Sequence, residues 1–143
     1  MKQYCLSFLL IFSSLAFTQN LNNVWYFGDG NFMDFNGGAP TIAAAGIEIA
    51  TATSTYCLEG SSSICDNTGQ LLFYSDGRSV WDQNYNLMPN GTNLNGHLSN
   101  AQVLIVPQPG NTGIYFIFYA DYAGNANGFS YSEIDMNLNG GLG

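Results

Sequence analysis

The side chains most able to do chemistry in this sequence are carboxylates at the ends of apolar segments. Asp76 ends "LLFYSD", Asp82 ends "SVWD" and Asp121 ends "YFIFYAD". Two carboxylates can hydrolyse a glycosidic bond, one as acid and one as base or nucleophile. Aspartates that follow strands also accept hydrogen bonds from the backbone of a turn. We interpret all three as turn residues, with glycan hydrolysis by a propeller-type enzyme as the alternative.

Oxygen ligands for a hard cation are spaced along "DGNFMD". Asp29, Asn31 and Asp34 offer carboxylate and amide oxygens, which Ca²⁺ prefers. The segment lacks the full EF-hand pattern and its closing glutamate. Calcium bound by these three residues is the one cofactor that the sequence suggests.

Other catalytic constellations are missing from the sequence. His97 is the only histidine, so there is no Cys/His cluster for zinc. No serine lies in a G-x-S-x-G elbow, and no phosphate-binding glycine loop follows a strand. We therefore expect a protein that is not an enzyme.

The charge balance excludes whole classes of partner. Lys2 and Arg78 are the only basic residues, against ten acidic ones. One or two cations cannot build a surface for nucleic acid, and for the same reason we expect no binding to an anionic membrane. Charged residues make up 8% of the chain, while hydrophobic residues make up 46%. This composition favours a packed core over disorder.

The N-terminus has the layout of a secretory signal peptide. Lys2 precedes the uncharged apolar run "CLSFLLIFSSLAF", which small and polar residues then end. We place the signal peptide at residues 1–18 and the mature domain at 19–143. The run is short for a membrane span, and we expect no span in the mature chain. The predicted location is outside the cell or on its surface, after export through the periplasm.

Two cysteines remain in the mature chain, Cys57 and Cys65. In an oxidising compartment they can form a disulfide bond. They can equally be two small apolar residues buried in neighbouring strands. Spacing alone does not choose between these alternatives.

The mature chain reads as short strands separated by turn residues, which predicts an all-β fold. Asp-Gly between "VWYFG" and "NFMDFN" is a hairpin signal. Further strands are expected in the segments "GIEIATAT", "GSSSIC", "QLLFYSD", "RSVWDQ", "AQVLIVP", "IYFIFYAD" and "GFSYSEIDM". Continuous apolar runs such as "LLFY" and "YFIFY" are typical of strands that are covered on both faces.

Part of this pattern repeats. Tyr119 and Asp121 each follow their counterparts, Tyr74 and Asp76, by 45 residues. A period of about 40–50 residues with four strands per unit is typical of a β-propeller blade. We therefore predict antiparallel four-stranded blades of a partial β-propeller, with a β-sandwich as the alternative. Arg78 is expected to pair with Asp76 or Asp82 at a blade edge.

Aromatic side chains could also form a platform for a glycan or a peptide. Most of them are expected in the core, because strand aromatics fill the space between sheets. Tyr85 and Tyr122 lie beside Asn and Gly and are the likeliest of the aromatics to be exposed. With Arg78, the only cation of the mature chain, they are the candidate binding residues.

Several motifs together resemble a known family. They are "WYFG…DF" at 25–35, "DNTGQLLFYSDGRSVWDQNYNLMPNG" at 66–91, "VPQPGNTGIYFIFYAD" at 106–121 and "YSEIDMNLNGGLG" at 131–143. In order and type they resemble the N-terminal propeller-like region of large secreted Bacteroidota proteins. Those proteins carry a gliding-motility-associated C-terminal domain, the type B sorting signal of type IX secretion.

The resemblance implies a secreted or surface-attached module without catalytic activity, which serves binding, adhesion or scaffolding. Its expected partners are an extracellular glycan or protein ligand and the secretion machinery. The machinery would be reached through the signal peptide and a C-terminal region that this chain lacks. Two blades cannot close a propeller ring, which has four to eight. We therefore expect an N-terminal fragment whose propeller-like domain is incomplete at Gly143.

Overall fold

The structure is a computed structural model that describes residues 20–28, 31–44, 60–97 and 103–143. These residues form three antiparallel sheets of three strands each and no α-helix, which confirms the all-β prediction. The first sheet holds β1 (Val24–Gly28), β2 (Asn31–Asp34) and β3 (Thr41–Ala44). The middle sheet holds β4 (Ser62–Cys65), β5 (Leu71–Ser75) and β6 (Val80–Asp82). The third holds β7 (Val103–Pro107), β8 (Ile114–Ala120) and β9 (Phe129–Asp135).

The first sheet is built on the predicted Asp-Gly hairpin. Gly28 of β1 pairs with Asn31 of β2, so only two residues connect the strands. The third strand, β3, begins at Thr41, earlier than the strand predicted in "GIEIATAT". That segment, 46–53, lies outside the described residues.

The middle sheet turns at "DNTG", as its turn-forming residues predict. One carboxylate oxygen of Asp66 accepts the backbone N–H groups of Thr68 at 2.8 Å and Gln70 at 3.0 Å. Gly69 has a φ of 91°, a left-handed conformation that favours glycine. The carboxylate and the glycine together set the tight reversal between β4 and β5.

The described sheets have three strands, where the sequence predicted four per blade. In the middle sheet a fourth segment lies along β6 without forming a regular strand. The backbone of Val80 donates to Gly91 at 2.8 Å and accepts from Met88 at 3.0 Å. Pro89 lacks an N–H, and Asn90 has a φ of 61°, so this segment does not continue a ladder. It still covers the edge of β6, which an open sheet would expose.

Three consecutive serines join the middle sheet to both of its neighbours. Side chains alternate along an extended segment, so Ser61 and Ser63 point to β1 and Ser62 points to β7. The hydroxyls of Ser61 and Ser63 donate to the carbonyls of Tyr26 and Val24, each at 2.6 Å. The hydroxyl of Ser62 accepts the N–H of Ile105 at 3.3 Å. We call these three residues the serine seam.

Asparagine side chains also join the first sheet to the middle sheet, at the turn between β4 and β5. Asn36, after β2, accepts from Asn23 at 2.8 Å and donates to the carbonyl of Gly69 at 2.8 Å. The N–H of Cys65 donates to the carbonyl of Leu21 at 2.8 Å. From Ser61 to Ser63 the chain moves forward along β4, while the bonded carbonyls on β1 move back from Tyr26 to Val24. The two strands therefore run antiparallel. The "DNTG" turn is thus held by the first sheet.

The core lies on both faces of the middle sheet. Phe73 and Val80 pack towards the third sheet, with Ile105, Ile117 and Met136 in the same cluster. Tyr74 and Trp81 pack towards the first sheet, in a second cluster with Tyr26. Phe73 and Tyr74 are both fully buried, which confirms that "LLFY" is covered on both faces. The same prediction for "YFIFY" is wrong: Ile117 and Tyr119 are buried on one face, but Phe116 and Phe118 on the other face are not, because no described sheet packs there.

Replacing Ser63 with alanine tests the seam. The Ser63 hydroxyl also accepts the N–H of Tyr26 at 3.3 Å, so the change removes two contacts to β1. We expect Ser63→Ala to lower the free energy of unfolding by about 1–3 kcal/mol, because partly buried polar groups lose their partner. Urea denaturation followed by tryptophan fluorescence measures it. Ser79→Ala is the matched control, and equal losses in the two variants would contradict the seam.

Replacing Gly69 with alanine tests the asparagine contact. A Cβ atom there would overlap Oδ1 of Asn36 and lie 2.8 Å from Nδ2 of Asn23. Gly110 has a similar φ, 80°, but nothing within 4 Å of its Cβ position. Both variants carry the cost of a left-handed alanine, and we expect Gly69→Ala to lose roughly 2 kcal/mol more, because it also overpacks the junction. Equal melting temperatures for the two variants would contradict this, because they would show that Asn36 and Asn23 can move aside without loss of stability.

Candidate binding cleft between the first and middle sheets

A polar cleft of about 530 Å³ opens between the first and middle sheets. Its volume lies within the range of about 300–1,000 Å³ that is usual for small-molecule sites. The apolar side chains that line it are Val24, Phe32 and Leu71. The polar lining consists of Asp34, Asn36, Thr68, Gln70 and Tyr85, with the backbone of Gly69 between them.

Tyr85 holds its position through a strained turn after β6. Its φ is 65°, which is uncommon for a bulky residue and is found at ligand sites. The carboxylate of Asp82 holds the turn by accepting the N–H groups of Asn84 at 2.8 Å and Asn86 at 2.9 Å. The Tyr85 ring lies 6.3 Å from the ring of Tyr74, between centroids. The ring therefore sits half-buried at the cleft, on a rigid support.

The support under Tyr85 is an aromatic stack. The rings of Tyr74 and Trp81 are parallel within 12° and 5.3 Å apart. The ring of Tyr26, from the first sheet, lies 4.2 Å from that of Tyr74. The stack therefore packs the first sheet against the middle sheet and also contacts Tyr85 at the wall of the cleft.

The opposite wall of the cleft comes from the first sheet. Asp34, at the end of β2, accepts the N–H of Asn36 at 2.7 Å and is the one charged side chain among the described residues lining the cleft. Both oxygens of a carboxylate accept hydrogen bonds, so Asp34 keeps acceptor capacity. The exposed amide of Gln70 faces the same space.

Two carboxylates near the turns have perturbed pKa values with different causes. The hydroxyl of Thr68 donates to Asp66 at 2.6 Å, and this contact, with backbone N–H donors, lowers the pKa of that carboxyl. Burial raises the pKa of Asp76, although backbone N–H groups and the charge of Arg78 act in the other direction. Asp76 is thus the carboxyl for which desolvation outweighs hydrogen bonding.

The structure separates the three residues that we expected to bind. Tyr85 lines the cleft, whereas Arg78 and Tyr122 follow the other ends of β5 and β8. Tyr122 is exposed and its ring lies 4.7 Å from that of His97. Asp76 binds the backbone N–H of Arg78 at 2.8 Å, and Nη1 of Arg78 is buried without a hydrogen-bond partner. Among the described residues no ion pair joins the guanidinium to Asp76 or Asp82, so the expected pairing is wrong, although the charge of Arg78 acts to lower the pKa of Asp76.

The aspartates of the described residues share one structural use. Each accepts a backbone N–H from a residue that follows it, as in Asx turns. The six are Asp34, Asp66, Asp76, Asp82, Asp121 and Asp135. Asp76 lies in the turn before β6 and Asp82 is the last residue of β6, so the two carboxylates are at opposite ends of this strand and do not face each other across one cleft.

Calcium binding and the disulfide bond stay predictions. Asn31 and Asp34 are three residues apart in β2, so their side chains point to opposite faces of the sheet. Asp29 and Cys57 lie outside the described residues. The structure gives Cys65 as a free, buried thiol, and burial raises its pKa. No group of three metal-binding side chains occurs in the described ranges.

Sequence reasoning identified one residue of the cleft for binding, Tyr85, and named Asp34 for a different purpose. It missed Asn36, Thr68 and Gln70, which come from two turns that are distant in sequence. The one local signal was the turn motif "DNTG", whose polar residues follow a strand. Nothing local indicated that the turn after β2 lies beside it.

The chain was compared with protein-family descriptions, with curated proteins and with solved structures, and none matches it. Within the part of the chain that the structure describes, no helix is long and apolar enough to span a membrane.

The pH dependence of stability tests the Asp66 turn. A carboxyl whose pKa is lowered on folding stabilises the protein above its ordinary pKa of 3.8, and this contribution is lost as the pH falls below that value. We expect the free energy of unfolding to fall between about pH 5 and pH 2.5, and to fall less in Asp66→Asn. Thr68→Val should also reduce the fall, since it removes the main donor. An unchanged fall in both variants would contradict the assignment.

Proposed function

We propose that this protein is a secreted or cell-surface, non-catalytic module that binds an extracellular glycan in the cleft between its first and middle sheets. The observation that carries the proposal is the strained, half-buried Tyr85 at the wall of a polar cleft. Strained backbone persists where surrounding structure holds it, and it clusters at ligand sites. The turn of Asp82 and the aromatic stack supply that support here.

The chemistry of the lining favours an uncharged, hydroxyl-rich ligand. Asn36, Thr68 and Gln70 bring amide and hydroxyl groups, which pair with hydroxyls as donors or acceptors. Asp34 can accept from sugar hydroxyls, and an aromatic ring offers an apolar face with a polar tip. Without a cation in the described lining, an anionic ligand has no counter-charge. A protein or peptide is the other expected class of ligand, but the edge strand β1 beside the cleft already accepts hydrogen bonds from Ser61 and Ser63.

The wider setting is part of the same proposal. The sheets are proposed as blades of a β-propeller, supported by the 45-residue offset between the middle and third sheets and by the contact of their first strands, β4 and β7, through Ser62. The signal-peptide layout supports export, and the motif resemblance supports a type IX secretion substrate of the Bacteroidota kind. In that setting binding, adhesion and scaffolding are uses of one glycan-binding surface.

Removing the ring of Tyr85 tests the proposed function. A glycan array first identifies a ligand, and titration calorimetry then measures its affinity. We expect Tyr85→Ala to weaken binding at least tenfold, about 1.4 kcal/mol, because the stacking surface is lost. Tyr85→Phe keeps the ring and should lose less. Tyr122→Ala, an exposed tyrosine at the other end of the sheets, is the matched control.

Two outcomes would contradict the proposal. The first is binding that survives Tyr85→Ala and is lost in Tyr122→Ala, which would move the site to the opposite end. The second is release of reducing sugar from the bound glycan, which would make the protein a hydrolase.

A further inference from the structure

Asn-Gly pairs are positions at which the backbone of this chain can react with its own side chains. The backbone nitrogen of the glycine can attack Cγ of the asparagine, because glycine has no Cβ atom to hinder the approach. The reaction is intramolecular, so the chain itself holds the two groups together. The sequence contains five such pairs, and all of them lie within the described residues. They begin at Asn36, Asn90, Asn95, Asn127 and Asn139.

In three of the pairs the glycine nitrogen is held in a hydrogen bond. The N–H groups donate to backbone carbonyls at 2.8–3.0 Å, from Gly91 to Met88, from Gly96 to Gly77 and from Gly128 to Asn125. A nitrogen in such a bond can attack only after the turn has opened locally. We therefore expect these three pairs to react slowly in the folded chain.

In a fourth pair the asparagine side chain is held instead. Oδ1 of Asn36 accepts from Asn23 at 2.8 Å, and Nδ2 of Asn36 donates to the carbonyl of Gly69 at 2.8 Å. The carboxamide cannot turn towards Gly37 without losing both bonds. This pair is therefore also protected by the fold.

The fifth pair lies in a tight turn after β9 and lacks both kinds of protection. The N–H of Gly141 closes the turn by donating to the carbonyl of Leu138 at 2.9 Å. The two central residues, Asn139 and Gly140, have φ values of 47° and 68°, as in a type I′ turn. Among the described residues, neither the N–H of Gly140 nor the exposed side chain of Asn139 has a hydrogen-bond partner.

The surroundings of this turn also leave the reacting atoms open. A Cβ atom built on Gly140 would have nothing within 4 Å. No neighbouring side chain therefore shields the nitrogen from the asparagine or from water. Of the five pairs, this is the one whose nucleophile and electrophile are both free in the folded state.

We propose that Asn139 is a site of spontaneous deamidation, with water as the other reactant. The nitrogen of Gly140 attacks Cγ of Asn139, its proton passes to the departing amide nitrogen, and ammonia leaves. The product is a cyclic succinimide between the two residues. Water then opens the ring at one of its two carbonyls. Opening gives either aspartate or isoaspartate, in which the main chain runs through the former side chain.

The modification changes a turn that leads to a contact with the middle sheet. A Cβ atom built on Gly143 would lie 2.9 Å from Sδ of Met88 and 3.2 Å from Sδ of Met136. Isoaspartate adds the Cβ carbon to the main chain between Leu138 and Gly141, so the closing bond of the turn no longer fits. Both products also add a negative charge to a chain with two basic residues against ten acidic ones.

Peptide mass spectrometry of the full chain tests this. The folded chain is incubated at mildly alkaline pH, where the amide proton is lost more readily, and is digested with pepsin in acid. We expect Asn139 to deamidate at least about tenfold faster than the asparagines of the other four pairs, because their reaction waits for local opening. In guanidinium chloride, where the turns are unfolded, all five should react at comparable rates.

Two variants locate the reacting nitrogen. Gly140→Ala places a Cβ atom on the nucleophile and should slow the deamidation of Asn139 while leaving the other four pairs unchanged. Gly141→Ala is the matched control, since Gly141 also has a positive φ, 93°, and nothing within 4 Å of its Cβ position. It should leave the rate at Asn139 largely unchanged. Circular dichroism of each variant confirms that it is folded.

Two results would overturn the proposal. If Asn139 stays intact in the folded chain but reacts in guanidinium chloride, the turn protects it in spite of its free N–H group. If Asn90 or Asn127 deamidates as fast as Asn139 in the folded chain, the hydrogen bond of the glycine nitrogen does not decide which pair reacts.

Discussion

The arrangement of the sheets depends on the serine seam. Three small hydroxyl side chains in a row allow β4 to approach β1 on one side and β7 on the other, at hydrogen-bond distances of 2.6–3.3 Å. Larger residues at these positions would hold the neighbouring strands apart and leave backbone groups without partners. With the seam in place, the middle sheet is covered on both faces. Its buried aromatic residues then form the stack that supports the cleft.

The aspartates of this molecule mainly stabilise turns. The chain has two basic residues against ten acidic ones, so its aspartates have few cations to pair with. They bind backbone N–H groups instead, and these charge-assisted contacts are stronger than neutral ones. The turns become rigid without ion pairs, which suits a protein with so few positive charges. At Tyr85 this matters for the cleft, because the turn held by Asp82 stabilises the residue's unusual backbone conformation.

Local patterns predicted what is local. Alternation and turn residues placed eight of the strands' segments near their observed positions, and the run "LLFY" correctly predicted two covered faces. The seam was not predicted, because "SSS" has no apolar alternation and its use depends on strands about 40 residues away. The cleft was half predicted for the same reason: Tyr85 stood out beside Asn residues, but Asn36 reaches it from another sheet. Arg78 was grouped with Tyr85 as the only cation of the mature chain, and Tyr122 for the turn residues beside it. Neither signal indicates at which end of a sheet a residue lies.

The sequence distances across the seam have a consequence for how the chain folds. Each sheet consists of hairpins with short connections, and such pairs form within microseconds. The seam joins residues that are 35 to 43 positions apart, so it closes larger loops than the hairpins do, at a higher loop-closure entropy for each contact. We expect the hairpins to form before the seam, so the docking of β4 between β1 and β7 should be the slow step, and mutations in the seam should change the folding rate more than mutations in the turns.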